Sequence, residues 1–432
     1  MHHRYDWQWI EQQAAQTAAI WKACRRADLP ADGAFTNEQQ RERENAYDAA
    51  LNTVENELHL RETSSAERSV MRERIVRAFG LFSATALDLD EDAINVLTRE
   101  FLPVGTHLAL WARHFDPALS MPDIIQACRN AWTACGLQPL MGEPIALTPA
   151  ILGYSLLYPY SDNYLDDDSI SVEEKVAFSE RFRRQLCGER IIALDAREEA
   201  VQRLIRLIET QFERNGFPGV YDCLFAIHRA QEQSVRQVRP PTTYNEDETL
   251  RFSCEKGGSS VLADACLARG WMTEQESQFA FEWGILLQLG DDLQDVHEDL
   301  ERGSMTLFSH AAATGELLDI PTMQLLAFAD HVGREMDKLP HASVTLKDLL
   351  KMSWRSLIIR AIADSREFFS TGFVGQAERC SPFRFEFLHK RQNRIAAQHG
   401  LYARLFDAFL DEDSQESCVT PAALTELQQS AP

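Results

Sequence analysis

The chain has 432 residues, 45% of them hydrophobic, which is enough apolar material for a large core and too much for global disorder. Its formal charge of −23 argues against nucleic acid or an anionic membrane surface as partners. Nine cysteines are dispersed without CxxC or Cys/His spacing, the pattern of reduced thiols in an intracellular protein.

The first residues, MHHRYDWQWIEQQ, lack the apolar core of a signal peptide. The longest apolar stretches, such as ILGYSLLYPY, run to about ten residues, too short to span a bilayer. A cytoplasmic protein with no membrane span is the expectation.

Helical periodicity dominates, with no alternating strands, no Asn-Gly hairpin chemistry and no internal repeat, so the expected fold class is all-α. Residues 1–120 read as an N-terminal helical extension packed on the catalytic unit. It is broken near DLPAD (28–32) and near Pro103-Val-Gly105, and it carries no chemical motif. Its tryptophans Trp7, Trp9 and Trp21 read as packing residues.

Residues 121–410 form the expected catalytic unit, and 411–432 a polar tail. A helix from about Pro122 to Cys135 should end at Gly136, with a loop from Gly142 to Pro149. The next helix, from about Ala150 towards Asp168, should be kinked by Pro159. Ser171 with Glu174 resembles a capping box that opens a long helix to about Arg214, stopped by NGFPG. Val220 to about Val238 comes next, then the loop RPPTTYNEDET, with Asn245 as the next cap. Adjacent glycines in Lys256-Gly257-Gly258-Ser259-Ser260 predict a break or kink. Gly270 closes that segment, and Thr273 with Glu276 caps the helix after it.

That last helix runs into LQLGDDLQDVHEDLERG (287–303), where Asp291, Asp295 and Asp299 fall one turn apart on one face. Like charges at this spacing repel, so they need a compensating partner. Upstream, Asp162, Asp166, Asp167 and Asp168 form a second acidic group in SDNYLDDDS. Acidic runs are ordinarily solvated helix faces. Both of these, however, emerge from apolar helices, where unpaired carboxylates are costly. Carboxylates without Cys or His partners select hard cations such as Mg2+, which takes few protein ligands, several waters and phosphate oxygens. The candidate metal ligands are Asp162, Asp166, Asp291, Asp292, Asp295 and Asp299, with Asp162, Asp166, Asp291 and Asp295 also expected to be catalytic.

At these residues the chain resembles a family. DDLQD (291–295) looks like the second aspartate-rich motif of all-trans prenyl diphosphate synthases, and DNYLD (162–166) like the DxxxD of squalene and phytoene synthases. Asp291, Asp295 and Asp299 fall where class I terpene cyclases carry their metal-binding triad. KGGSSVLADA (256–265) is similar to the lysine-led helix break of prenyl synthases. The combination, over roughly residues 121 to 400, is most similar to the large class IB terpene synthases of the tetraprenyl-β-curcumene synthase type.

The resemblance implies an isoprenoid synthase helical bundle around a deep apolar pocket. It implies a prenyl diphosphate substrate, ionised with about three Mg2+ ions. A homodimer is compatible with it. Lys256 would contact the diphosphate, with Arg391 joining it from a basic patch of Arg384, Lys390, Arg391 and Arg394 that matches no defined motif. In IHRAQEQS, His228, Gln231, Glu232 and Ser234 would meet diphosphate, water or cation, His228 otherwise being a satisfied core histidine. Asp264 either lines the same break or is a solvated helix residue. Phe279, Phe281, Trp283, Tyr154, Tyr158 and Tyr160 are core or pocket wall. Chain-elongating prenyl synthases, head-to-head synthases and a non-catalytic subunit are the rivals. Asn163 in place of an aspartate, and no arginine pair close behind it, speak against elongation.

Overall fold

A computed structural model of the chain describes residues 4–24, 29, 34–59, 65–167, 169–236, 244–396, 405 and 408–409. Among the described residues all regular structure is helical, and no helix is long and apolar enough to cross a membrane. The expected polar tail from 411 onward and, apart from Leu29, the expected break at 28–32 lie outside them.

Local capping chemistry sets many of the helix starts. Helix α1 (Trp7–Ala23) is capped by Asp6, and α2 (Asn37–His59) and α3 (Ser65–Ala86) come after it. Next come α4 (Glu91–Asn95), a π-helical turn at Val96–Phe101, and α5 (Leu102–Phe115). The expected break near Pro103-Val-Gly105 is thus no gap: the π-turn passes directly into α5 through helical Phe101, with Pro103 at the junction and Gly105 inside α5. Helix α6 opens on a Ser120/Asp123 capping box and spans Met121–Leu140, running through Gly136 instead of stopping there. Gly136 faces Leu350, Trp283 and Phe101, and packing of that kind outweighs the roughly 1 kcal/mol helix penalty of a glycine.

Helix α7 (Pro149–Asp166) carries Pro159 inside it and ends in the first acidic group. The expected long helix is two, α8 (Val172–Leu186) and α9 (Ala196–Gln211). Gly188, at φ +83°, turns the chain between them, and Arg214 donates to the carbonyls of Gln185 and Leu186 that the break leaves open. The Ser171/Glu174 box that opens α8 is present as expected.

Helix α10 (Pro218–Arg236) precedes the longest helix, α11 (Glu246–Arg269), capped by Asn245 and closed by Gly270. The double glycine does not break α11. It lets α12 (Glu274–Gln294) cross in backbone contact. A Cβ on Gly257 would lie 2.6 Å from the carbonyl oxygen of Gly284, and one on Gly258 would overlap the Phe281 ring. Helix α12 begins at the expected Thr273/Glu276 box and passes at Asp295 into α13 (Val296–Arg302). Helices α14 (Leu307–Ala313), α15 (Asp319–Asp337), α16 (Val344–Asp364), α17 (Thr371–Cys380) and α18 (Phe385–Ala396) complete the described chain.

Helix α11 is the centre of the molecule, touching α12, α10, α6 and α1. The N-terminal helix packs directly on this group. Trp9 meets Phe281 edge-on at 5.7 Å, the Tyr5 hydroxyl shares a 2.8 Å hydrogen bond with Ser277, and Trp21 packs on Phe328. The three tryptophans thus serve packing, Trp7 beneath the Arg229 guanidinium. Phe279, Phe281 and Trp283 are buried core residues of α12.

Candidate functional site

The end of α12 concentrates four carboxylates. Backbone hydrogen bonds run from Asp295 N to Asp291 O and from Asp299 N to Asp295 O, both 2.8 Å, so the one-turn spacing survives the junction with α13. Asp292 is buried and held in place: Gln288 Nε2 donates to Oδ1 at 2.8 Å and Ser253 Oγ, from α11, donates to Oδ2 at 3.0 Å.

Burial pushes the Asp291 carboxyl up to about 6 and that of Asp299 up to about 7, the latter helped by the charges of Asp292 and Asp295. Asp292 is raised by burial, and Asp295 by burial and the neighbouring Glu298. Lys256 acts on all four as a counter-charge, and Arg129 of α6 acts on Asp291 and Asp295. Arg302 adds a third cation at Asp295, yet the three do not offset this crowding, since the carboxyls stay above their ordinary range.

The sign of the consequence depends on the two states. A carboxyl raised in the folded protein costs stability as pH climbs from the unfolded value near 4 to the folded one, and the cost stays above it. For Asp291 and Asp299 that window is roughly pH 4 to 7. A cation bound among them reverses the loss. Thermal melts should show Mg2+ raising the melting temperature by several degrees at pH 8 and by much less at pH 5. An equal shift at both pH values would contradict the assignment of these groups.

The second acidic group sits at the end of α7. Gln231 Nε2 of α10 donates to Asp162 Oδ1, and Ser161 Oγ donates to Oδ2 at 3.2 Å. Asn163 Nδ2 donates to Asp123 Oδ1 at 2.8 Å, which explains the amide: an aspartate here would repel Asp123. Asp167 is exposed, its carboxyl lowered by hydrogen bonds from Ser169. Asp168 and the side chains of Asp166 and Ser234 lie outside the described residues. Helix α6 meets the first acidic group, its Asp123 accepting from Asn163, and its exposed Arg129 acts on Asp291 and Asp295 as a counter-charge at longer range.

Of the expected diphosphate contacts, Lys256 is exposed on α11 within electrostatic range of the α12 carboxylates, and Gln231 is bonded to Asp162. His228 and Arg391 are engaged elsewhere. His228 is a buried packing residue, its Nε2 3.0 Å from the Ser179 carbonyl oxygen and its ring edge-on to Phe182. Burial lowers its basicity, so it is a weak cation. Arg391 forms a 2.5 Å ion pair with Asp48 of α2 and lies over Phe387. Arg384 pairs with Glu44 and Lys390 with Glu386, so the described part of the basic patch clamps α18 to α2 or closes on itself. Arg394 has no described side chain.

One feature escaped sequence reasoning: Arg129, which stands with Gln126 and Asn130 in IIQACRNAW of α6, a mixed stretch that sets no arginine apart. Asp264, left open in the sequence between lining the glycine stretch and solvated, is buried and accepts from Asn130, Arg129's neighbour. The pattern around Asp264, a single aspartate in the apolar SVLADACLA, marked burial.

Among the described residues, no group of three or more His, Cys, Asp or Glu side chains forms a ready-made metal cage. Mg2+ does not need one, since it is held by one or two carboxylates, waters and substrate phosphate. The donor set of Asp162, Asp291, Asp292, Asp295 and Asp299, all oxygen and short of counter-charge, suits it. In comparison with known proteins, no family model, no curated protein and no solved structure matches the chain.

Proposed function

We propose that the protein is a class I terpene synthase that ionises a linear prenyl diphosphate with Mg2+, cyclises or deprotonates the resulting carbocation and releases diphosphate. The observation that carries this reading is the set of four crowded carboxylates, Asp291, Asp292, Asp295 and Asp299, with Lys256 and Arg129 in electrostatic range of them. Anionic ligands without enough cation call for metal, and metal next to cationic arms calls for a polyanion.

The roles are set by charge. Asp291, Asp295 and Asp299 would hold Mg2+ from α12 and α13, and Asp162, oriented by Gln231, from α7. Bound Mg2+ supplies Lewis-acid stabilisation of the charge that develops on the departing diphosphate. Lys256 and Arg129 add hydrogen-bond donors to those oxygens. Asp292 positions the clamp through its bonds to Gln288 and Ser253. The isoprenoid synthase bundle, with an interior between α6, α7, α10, α11 and α12, would take the hydrocarbon and keep bulk water from the cation. A cytoplasmic setting accords with the described cysteines, all free thiols.

The discriminating assay incubates purified protein and Mg2+ with a graded series of prenyl diphosphates, with and without isopentenyl diphosphate, and reads products by mass spectrometry. A hydrocarbon or alcohol without isopentenyl diphosphate is the expected result. A longer diphosphate formed only in its presence would replace this reading with chain elongation.

A further inference from the structure

Two turns beyond Lys256, about 12 Å along the axis by the rise of an α-helix, α11 carries Asp264, which is 1% exposed. The amide of Asn130 in α6 joins it to α7, Nδ2 donating at 3.2 Å both to Asp264 Oδ1 and to Ser155 Oγ. Beside Ser155, the Tyr154 hydroxyl is hydrogen-bonded to Ser260, one turn before Asp264 on α11, and Tyr154 lies near both Asp264 and Asp162. Asp162 is in turn two turns along α7 from Tyr154, again about 12 Å. Both helices thus place this polar cluster at the same depth beneath the two acidic ends.

Burial holds the Asp264 carboxyl well above the ordinary carboxylate range, and in its protonated form the group both donates and accepts. Asn130, Tyr154 and Ser260 are partly exposed although they surround a buried carboxyl, so solvent-sized space reaches them. A strut between three helices needs no ionisable group, and a buried carboxyl is a costly choice for one. A polar pocket with several donors and acceptors and room beside it is what an internal water requires.

We propose that Asp264, Asn130, Ser155, Ser260 and Tyr154 form a subsite that holds one water against the hydrocarbon of the substrate, so that the reaction ends in hydration to a cyclic alcohol. This rests on the terpene synthase reading. In the step, a lone pair of the water forms the C–O bond to the carbocation and one of its O–H bonds breaks. The Asp264 carboxyl takes that proton on one oxygen and gives up its own from the other. The released diphosphate is the final base. No redox partner is required.

The test uses the full chain with Mg2+, prenyl diphosphates and oxygen-18 water. The wild-type protein should release diphosphate and give a cyclic alcohol carrying the label. Asp264→Asn should release diphosphate within about threefold of wild type, yet lose at least about tenfold of its alcohol in favour of hydrocarbon. Asn130→Ala, its fold checked by melting, should shift products the same way and keeps the test open if Asp264→Asn does not fold. Diphosphate release with only unlabelled hydrocarbon from the wild type overturns the subsite and leaves the terpene synthase reading standing, as does an unchanged alcohol share in both variants. No diphosphate release from any substrate removes both.

Discussion

Asp291→Asn is expected to lower diphosphate release from a prenyl diphosphate at least about 100-fold, the scale of losing one preorganised electrostatic group, while the metal-free protein becomes more stable at pH 8. The two effects have one origin. The Asp291 carboxyl is pushed up to about 6 by burial, so at pH 8 the folded chain carries a charge it would be better without. The amide removes that charge and with it a candidate Mg2+ ligand. A residue kept only for stability would move both quantities in the same direction. Diphosphate-release kinetics and thermal melts with and without Mg2+ read the pair of outcomes. Unchanged turnover in both Asp291→Asn and Asp162→Asn would remove the metal assignment.

Gly284→Ala is expected to destabilise the fold by at least about 3 kcal/mol, at or beyond the upper end of ordinary overpacking. The new methyl would overlap the carbonyl oxygen of Gly257, and a backbone group cannot swing aside as a side chain can. Relief requires α11 and α12 to separate, which would pull Ser253 from Asp292 and move Lys256 away from the carboxylates. Denaturant unfolding measures the loss, and far-UV circular dichroism would show helix content retained. A change below about 0.5 kcal/mol, the size of an ordinary surface substitution, would mean the helices are not in contact there. Glycine at 257, read from the chain alone as a break, is thus a point of close approach.

What the sequence made legible was local chemistry. Ser171 with Glu174, Thr273 with Glu276, Asn245 and Gly270 each act on backbone groups within a few residues, and each holds the place its spacing predicted. The one-face alignment of Asp291, Asp295 and Asp299 was legible for the same reason. Distant partners were not. Gly136 and Gly257 look like helix breakers until Trp283 and Gly284 are seen against them. Arg391 looks like a ligand until Asp48 is found beside it, and His228 until Ser179 is. Arg129 had no neighbour in the chain to mark it. Its importance comes from an acidic helix that begins after residue 270.

The docking of α1 has a consequence for how the chain is made. Tyr5 bonds to Ser277 and the Trp21 carbonyl oxygen accepts from Gln324, contacts that span 272 and 303 residues. During synthesis the first helix leaves the ribosome long before its seat on α11, α12 and α15 exists. Its apolar face, with Trp9 and Trp21, must wait without a partner through most of translation. Such distant closures make folding slow and leave sticky intermediates exposed. Soluble yield is therefore expected to rise when a holdase chaperone is co-expressed, and unchanged yield would mean that the unseated helix is not the weak point of folding.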